Sequence, residues 1–287
     1  MNGYKIIKSP LNYIGGKHKL LPQILPLLPK DINTFVDLFG GGFNVGINIE
    51  CNHLIYNDIV HQISELMNAM AEKSEEDILQ HISKRIKEFD LSKTNSDGYY
   101  QLRESYNKRP NPLDLYVLIC FSFNHQVRFN SSMHYNNPFG KNRSSFTKTL
   151  ENKLKMFLRE LKKKNVTFQS RDFSDFDFDS LTSKDLVYCD PPYLITTASY
   201  NDGKRGFKGW NEELELNLLK KLDELNRRGV KFALSNVIKH KGKINHHLQA
   251  WSKNYNIHSL NYDYNNSNYQ SKNLDLDSTS EVLITNF

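Results

Sequence analysis

The stretch that decides the fold is residues 34–42, TFVDLFGGG. Its first six residues are mostly apolar, which predicts a short buried strand that runs straight into three glycines. Residues 45–49 then have helical character, and residues 53–58 predict a second strand that ends in Asp58. A strand, a glycine turn, a helix and a second strand ending in an acid are typical of the opening half of a parallel nucleotide-binding sheet.

The strand pattern is interrupted and later resumes, which indicates an α/β domain that carries an insertion. We expect residues 1–58 and 146–287 to form the α/β domain and residues 59–145 to form the insertion. Helices are predicted at 20–28, at 74–89, at 146–164 and from the cap Asn211 to Gly229. Strands are predicted at 166–168, 186–189 and 230–234, and a terminal antiparallel pair at 257–264 and 281–287.

The composition excludes several classes of protein. The 38 Lys and Arg exceed the 32 Asp and Glu, so the net charge of +6 favours an anionic partner. Cys51, Cys120 and Cys189 are too widely spaced for a zinc site or a disulfide framework, which is typical of a reducing cytosol. The longest apolar run, residues 115–123, falls short of the roughly 20 residues that a membrane span needs. We therefore expect a cytoplasmic protein rather than a secreted or membrane-spanning one.

The sharpest chemical signal is the tetrapeptide Asp190-Pro191-Pro192-Tyr193, which directly follows a predicted strand. A carboxylate at the carboxyl end of a sheet strand faces the ligand crevice. The two prolines donate no backbone hydrogen bonds, and their carbonyl oxygens stay free as acceptors. The tetrapeptide thus offers a charged acceptor, a carbonyl acceptor and an aromatic ring, a set that suits a planar group with an exocyclic amine. A simple turn at the end of a strand explains the same residues equally well.

Two further segments are compatible with a ligand without identifying it. The glycines at 40–42 let a ligand approach the backbone, but they match neither the spaced dinucleotide fingerprint nor a phosphate-binding loop. Asp58 suits the hydroxyls of a ribose, and a solvated acid at the end of a strand is an equally good interpretation. Residues 12–17, NYIGGK, are by themselves best interpreted as a loop with a helix-start glycine pair and a solvated lysine.

Taken together and in this order, the segments resemble the Dam-like, or alpha-group, DNA adenine-N6 methyltransferases. Residues 11–21 are similar to the family's N-terminal glycine-glycine-lysine motif, and residues 37–45 are similar to its S-adenosylmethionine loop. Asp58 is similar to the family's ribose-binding acid, and residues 190–193 to its catalytic tetrapeptide. The order and spacing hold over nearly the whole chain. Parts of the insertion are similar to the family's target-recognition hairpin, namely residues 123–124, 128–130 and 137–140.

The resemblance implies a Rossmann-like S-adenosylmethionine-dependent methyltransferase sheet with an inserted, mostly helical target-recognition domain that carries a β-hairpin loop. It implies S-adenosylmethionine as the methyl donor and no metal. An adenine flipped out of duplex DNA would stack on Tyr193, with its amine held by Asp190 and the Pro191 carbonyl. The implied catalytic residues are Asp190, Pro191, Pro192 and Tyr193. The implied cofactor-binding residues are Tyr13, Ile14, Gly15, Lys17, Asp37, Phe39, Gly40, Gly41, Gly42, Asp58, Asp172 and Asp190.

The insertion and the segment after it offer contacts for double-stranded DNA. Residues 141–164 contain nine Lys and Arg against two Glu, which suits phosphate contacts or a solvated helix face. Residues 124–145 are predicted to be an exposed loop, and residues 194–209 either a flap that orders on DNA or a disordered loop. Arg and Asn read guanine and adenine edges, although Asn more often caps turns. The predicted DNA contacts are Asn124, Arg128, Asn130, Lys141 and Arg143.

The resemblance is also compatible with the modification enzyme of a bacterial or phage-encoded restriction-modification system. The cognate restriction endonuclease would act on the same DNA site and need not bind this chain. The alternatives are a cytosine-N4 DNA methyltransferase, an enzyme that methylates RNA or a protein amide, and a catalytically inactive DNA-binding homologue. Asp190 argues against the first two, because serine or asparagine is more usual at that position in those groups.

One residue departs from the family pattern. Phe43 stands where the family usually has another glycine. If this position has a positive φ, a phenylalanine there is strained, because its Cβ crowds the backbone. Otherwise the three glycines at 40–42 take the turn by themselves.

Overall fold

The computed structural model describes residues 6–13, 15–196, 209–261 and 279–287. The strands within these ranges are β1 (Thr34–Asp37), β2 (His53–Asn57), β3 (Val166–Gln169), β4 (Leu186–Cys189), β5 (Lys231–His240), β6 (Lys243–Ile244), β7 (Asn256–Leu260) and β8 (Thr279–Thr285). They form one sheet in the order β3-β2-β1-β4-β5-β8-β7, and β6 pairs with β5. The strand predicted before the glycines is confirmed, and it ends at Asp37.

The central part of the sheet is parallel, from β3 through β2, β1 and β4 to β5. The chain moves outward from β1 to β2 and β3 and then returns to β4 on the other side of β1. A ligand crevice opens at such a change of direction, outside the carboxyl ends of the strands. Asp37 ends β1 and Asp190 follows β4, so both predicted acids lie at this crevice. The predicted Rossmann-like α/β sheet is confirmed.

Two antiparallel strands complete one edge of the sheet. β8 pairs with β5 in antiparallel register, with an irregularity between Val237 and Lys239, and β7 pairs with β8. The predicted terminal antiparallel pair is confirmed for the residues that the structure describes, whereas 262–278 lie outside them. This register places Glu281 of β8 opposite Val237 of β5.

Helices cover both faces of the sheet. They are α1 (Leu21–Ile24), α2 (His61–Glu72), α3 (Glu75–Glu88), α4 (Ser96–Lys108), α5 (Pro112–Phe121), α6 (Lys148–Leu161), α7 (Glu212–Arg227) and α8 (His246–Trp251). Helices α2 to α6 come from the long connection between β2 and β3. Within it, α2 packs against β3 and α5, and α6 packs against α2 and α3. Helix α7 lies against β5 and α8.

Two clusters of buried hydrophobic side chains join these helices to the sheet. One cluster contains Phe35 of β1 together with Ile78 of α3 and Tyr99 of α4. The other contains Val187 of β4 and Leu218 of α7. The helices of the insertion therefore share a core with one face of the sheet. The domain boundaries at 58/59 and 145/146 stay predictions.

Local sequence explains where several helices begin and end. The Asn211 side chain accepts a hydrogen bond from Leu214 N at 2.9 Å, so the predicted cap of α7 is confirmed. The predicted helix at 20–28 is instead α1 followed by a 3₁₀ turn at Leu25–Leu27, and Pro22 and Pro26 lie in their first turns, where a missing backbone donor is tolerated. Helix α4 lies in a polar segment in which we predicted no helix. None of the helices in the described ranges combines the length and apolar character that a membrane span requires.

Candidate active site at the carboxyl ends of the parallel strands

A cleft with a volume of about 300 Å³ opens at the carboxyl ends of β1 and β4. It brings together the three segments that the sequence analysis selected, although they lie far apart along the chain. Ile14, which was predicted to bind the cofactor, lies outside the described residues. The other predicted cofactor and catalytic residues line the cleft, namely Tyr13, Gly15, Lys17, Asp37, Phe39, Gly40, Gly41, Gly42, Asp58, Asp172, Asp190, Pro191, Pro192 and Tyr193.

The glycine turn after β1 forms one wall of the cleft. Gly40 N donates to Asn57 O at 2.8 Å, which ties the turn to the end of β2. A Cβ at Gly40 would come within 2.3 Å of the Tyr56 ring, and a Cβ at Gly41 within 3.1 Å of the Tyr13 ring. Gly41 also has a positive φ of 47°, which glycine adopts at little cost. The Tyr56 ring therefore leaves no room for a side chain at Gly40, and the positive φ together with the close Tyr13 ring favours glycine at Gly41.

Phe43 has a positive φ of 60°, so the strain expected at this position is present, and Gly41 shares the turn. A left-handed conformation of this kind costs about 1–2 kcal/mol for a residue with a Cβ. The Phe43 ring is fully buried. It contacts three aromatic rings edge-on, with centroid distances of 5.1 Å to Tyr56, 6.3 Å to Phe157 and 6.2 Å to Phe168. This packing offsets the strain that a glycine would avoid.

Two buried carboxylates support the turn. Asp37 Oδ2 accepts from Gly46 N at 3.1 Å, and Asp58 Oδ2 accepts from Gly41 N at 2.8 Å. Burial raises the pKa of Asp37 to about 7. Burial also raises the pKa of Asp58 to about 6, although its backbone hydrogen bonds oppose this shift. Both carboxyl groups therefore titrate closer to neutral pH than an exposed aspartate.

Aromatic rings cover another part of the cleft wall. The Phe39 ring lies 5.6 Å from Phe173 and 5.8 Å from Trp210, measured between centroids. Trp210 Nε1 donates to Glu215 Oε2 at 2.7 Å, which fixes the indole. Asp172 lies beside Phe173 and also lines the cleft. Phe173 and Trp210 were not predicted from the sequence, where their only signal is that they adjoin Asp172 and Asn211.

Asp190, which is half-buried, forms an ion pair with the buried Lys17. The distance between Lys17 Nζ and Asp190 Oδ1 is 2.7 Å, and the two side chains are 5% and 18% exposed. The same ammonium lies 4.8 Å from the centroid of the Tyr193 ring. Burial raises the pKa of Asp190, while the charge and hydrogen bond of Lys17 oppose that shift. The ammonium nitrogen of Lys17, which carries N–H donors, therefore already lies between the Asp190 carboxylate and the Tyr193 ring.

Glu281 joins this cluster from β8, although no role was predicted for it from the sequence. Its Oε1 accepts from the Tyr193 hydroxyl at 2.8 Å and lies 3.6 Å from Lys17 Nζ. The Ser235 hydroxyl of β5 is 3.3 Å from the same tyrosine hydroxyl. In the sequence Glu281 is a single acid before an apolar run, which is usually interpreted as a solvated strand end. Only the register of β8 shows that this acid points toward Tyr193.

The segment that carries Arg128 forms a rim of the cleft. Phe129 and Tyr135 form an antiparallel bridge, and Asn136 N donates to Arg128 O at 3.0 Å, so the segment pairs as a hairpin. The predicted exposed loop is wrong in part, because the side chains of Phe129 and Tyr135 are buried. Arg128 is exposed and lines the cleft. Asn130 is half-buried, and its Oδ1 accepts from two backbone N–H groups of the hairpin turn.

The other predicted DNA contacts are exposed. The Arg143 guanidinium lies 4.9 Å from the centroid of the Phe123 ring, and its Nη1 donates to Asn124 Oδ1 at 3.4 Å. Asn12 Nδ2 donates to Asn124 O at 2.8 Å, which connects this segment with the loop that carries Lys17. Lys141 is exposed as well. The predicted flap at 194–209 lies mostly outside the described residues, which stop at 196 and resume at 209.

Comparisons of the sequence with known proteins identify the family of this chain. The family model described as D12 class N6 adenine-specific DNA methyltransferase matches residues 13–266. The chain is 55% identical over 281 residues to the Type II methyltransferase M.FokI of Planomicrobium okeanokoites. The aligned region covers 98% of this chain and 43% of that protein. It is 53% identical over 285 residues to the modification methylase StsI of Streptococcus sanguinis. This aligned region covers 99% of this chain and 43% of that protein.

A more distant relative is matched over most of its length. The chain is 27% identical over 234 residues to the DNA adenine methylase of Escherichia coli K12, which covers 79% of each protein. By contrast, the chain spans less than half the length of M.FokI and StsI. The predicted relationship to the Dam-like enzymes is confirmed. The chain belongs to the D12 class of N6 adenine-specific DNA methyltransferases.

Proposed function

We propose that this chain transfers a methyl group from S-adenosylmethionine to the N6 amine of an adenine flipped out of duplex DNA. The observation that carries the proposal is the 2.7 Å contact between the buried Lys17 Nζ and the half-buried Asp190 carboxylate, beside the Tyr193 ring. This contact supports an amine site, because an N–H donor already occupies an acceptor position of Asp190. A substrate amine that binds Asp190 takes the place of the ammonium.

The donor set of the cleft fits S-adenosylmethionine. The carboxylates of Asp58 and Asp172 offer acceptors for the hydroxyls and the amine of a nucleoside, and the rings of Phe39 and Trp210 offer planar contacts. A volume of about 300 Å³ is that of a small-ligand site. When bound there, the cofactor supplies an electrophilic methyl group. The predicted role of Lys17 in cofactor binding stays a prediction.

The residues around Asp190 do the rest of the chemistry. Tyr193 stacks on the flipped base, whose extraction from the duplex costs a few kcal/mol. Asp190 and the Pro191 carbonyl accept the two hydrogens of the amine, which draws the nitrogen lone pair out of conjugation with the ring. Asp190 Oδ1 takes the proton that the nitrogen loses after methylation. Catalysis is thus positioning, together with acceptors placed where charge develops.

The hairpin side of the cleft holds the DNA. Arg128 is exposed at the rim, where a guanidinium reads a guanine edge by two parallel hydrogen bonds. Lys141 and Arg143 are exposed cations that suit phosphate groups, which position the duplex without reading its sequence. Asn124 completes this set, whereas the side chain of Asn130 acts within the hairpin turn.

We infer from the names of the relatives that the reaction serves restriction-modification. StsI and the LlaI enzyme of Lactococcus lactis subsp. lactis are both called modification methylases. In such a system a restriction endonuclease cleaves the same DNA site when it is unmethylated. DNA modified by this chain is therefore expected to resist that endonuclease, and a digest of modified plasmid tests this.

One experiment tests the main proposal. Purified chain is incubated with unmethylated plasmid DNA and S-adenosylmethionine, and the nucleosides released from the DNA are analysed by mass spectrometry. We expect N6-methyldeoxyadenosine, and sequencing at single-base resolution then identifies the target site. N4-methyldeoxycytidine instead would support the cytosine alternative. Cofactor binding without any methylated nucleoside would support the inactive DNA-binding homologue.

A further inference from the structure

The buried acid Glu281 contacts two residues of the proposed site without a role in the steps above. It begins the apolar part of β8, and its side chain is 8% exposed to solvent. Strand β8 pairs with β5, which is the neighbour of β4, and Asp190 follows β4. Glu281 is absent from the cleft wall itself, so it supports the site from behind.

The hydrogen bonds around Glu281 determine which acceptors are occupied. The Tyr193 hydroxyl lies 2.8 Å from Glu281 Oε1 and 3.2 Å from Asp190 Oδ1. A hydroxyl has one proton to donate, and the shorter distance assigns that proton to Glu281. The Asp190 oxygen is thereby left to the ammonium of Lys17, or to a substrate amine.

The same carboxylate also faces Lys17. Its Oε1 lies 3.6 Å from Lys17 Nζ, which is 2.7 Å from Asp190 Oδ1, so the ammonium lies between two carboxylates. A substrate amine that binds Asp190 removes one of these partners. A buried cation without a carboxylate beside it is strongly disfavoured. Glu281 therefore stabilises the Lys17 ammonium once the substrate amine has bound Asp190.

We propose that Glu281 is a positioning residue for methyl transfer, which holds the Tyr193 ring by its hydroxyl and retains the Lys17 ammonium when the target amine displaces it from Asp190. This inference rests on the proposed function. Without the Glu281 carboxylate, the Tyr193 hydroxyl turns to Asp190 Oδ1 and competes there with the amine. The displaced Lys17 ammonium then has neither of its two carboxylate partners beside it.

The charge of Glu281 should affect the pH dependence of the methylation rate, which a purely structural role of this residue would leave unchanged. It raises the pKa of Asp190, as burial does, whereas Lys17 lowers it. Removal of the charge therefore lowers the pKa of Asp190. Since Asp190 accepts hydrogen bonds from the amine in its ionised form, the acidic limb of the pH–rate profile moves to lower pH.

The test uses three variants of the full chain. Glu281→Gln keeps the shape and one acceptor oxygen but carries no charge, and Tyr193→Phe keeps the ring but has no hydroxyl. Asp223→Asn is the matched control. Asp223 Oδ1 accepts a hydrogen bond of 2.6 Å from the Tyr255 hydroxyl, and neither residue lines the cleft. This variant removes the charge from a similar carboxylate–tyrosine pair.

The measurement is the single-turnover rate of adenine methylation between about pH 5 and pH 9. The substrate is a duplex that contains the target site identified by sequencing. We expect Glu281→Gln to be about tenfold slower, with its acidic limb at lower pH and the affinity for S-adenosylmethionine unchanged. We expect Asp223→Asn to match the wild type, and Tyr193→Phe to be slower.

The outcomes separate this inference from the proposed function. An active wild-type chain whose Glu281→Gln variant has the same rate and the same acidic limb overturns the role of Glu281 alone. Wild-type behaviour of Tyr193→Phe overturns the hydroxyl contact, and with it the inference, even if Glu281→Gln does not fold. A wild-type chain that methylates no adenine overturns both proposals together.

Discussion

The cleft and the hairpin rim differ in where their charged groups lie. In the cleft, the pKa values of three carboxyl groups are raised, those of the buried Asp37 and Asp58 and of the half-buried Asp190. On the rim, Arg128 and Arg143 are exposed to solvent. Buried charges act strongly on the groups that they touch, whereas exposed charges act over longer distances and are screened by salt. Changes in the cleft should therefore alter one chemical step, and changes at the rim should alter which DNA is bound.

The two regions also differ in how the backbone supports them. The cleft acids stand at the ends of paired parallel strands, where the register of the sheet fixes their positions. The rim contains Asn124 and His125, two consecutive residues with left-handed φ values of 53° and 52°. Asn12 Nδ2 stabilises this turn through the Asn124 carbonyl. The rim therefore depends on a few local hydrogen bonds, and the cleft on the whole sheet.

The largest effect is expected for Asp190→Ala. This variant lacks the charged acceptor that we propose for the amine, and we expect methyl transfer to fall by about a thousandfold or more, while S-adenosylmethionine still binds. The rate is measured in single turnovers, and binding by calorimetry. Full activity in this variant would contradict the assignment of Asp190 and would remove the proposed contrast between cleft and rim.

Phe43 tests how the cleft wall is held. Phe43→Ala removes a buried ring, and we expect the free energy of unfolding to fall by about 3 kcal/mol or more. Phe43→Gly removes the same ring but adopts φ of 60° freely, so it should be about 1 kcal/mol more stable than the alanine variant. Urea titrations measure both. An alanine variant as stable as the glycine variant would show that position 43 is not strained.

Arg128→Ala should change selectivity rather than chemistry. The loss of the proposed bidentate base contact is expected to reduce discrimination against a changed base pair by about 1–3 kcal/mol, or roughly 5- to 150-fold. The assay compares methylation rates on duplexes that differ at single positions of the target site. Arg227→Ala, at the end of α7, is the control. An unchanged preference at every position would exclude Arg128 from base readout.

The pH dependence of cofactor affinity tests Asp58. Its pKa is about 6, so the carboxylate is ionised above that pH and protonated below it. The ionised form is the better acceptor for ribose hydroxyls, so the Kd for S-adenosylmethionine should rise by up to about tenfold per pH unit as the pH falls below 6. Asp58→Asn should bind more weakly at pH 8 and show no such dependence. Equal pH dependence in both proteins would contradict the role of Asp58.

Arg143→Ala is expected to have the smallest effect. Loss of one exposed phosphate contact should weaken DNA binding several-fold at low salt and reduce the slope of log K against log salt by about 1. Binding is measured by fluorescence anisotropy with both target and unrelated duplexes. The two duplexes should be affected equally, and a loss restricted to the target duplex would assign Arg143 to base readout.

The local sequence predicted much of the fold and most of the cleft. Apolar runs, the glycines and the cap Asn211 are short-range signals, because backbone sterics and capping hydrogen bonds involve residues close in the chain. The tetrapeptide at 190–193 is likewise a local signal, because its two prolines lack backbone donors and leave their carbonyl oxygens as acceptors. The helix in the polar segment 96–108 was not predicted, since its stability comes from buried Tyr99 and Leu102 packed against other helices.

The sequence by itself determined the parallel sheet, the glycine turn and the family, because each follows from residue types at fixed spacing. Only the tertiary structure decided that Phe43 is strained and packed among aromatic rings, that Lys17 pairs with Asp190, and that Glu281 reaches Tyr193. These contacts join residues that are distant in the chain. Their geometry depends on strand register and on the packing of both faces of the sheet, which no local pattern encodes.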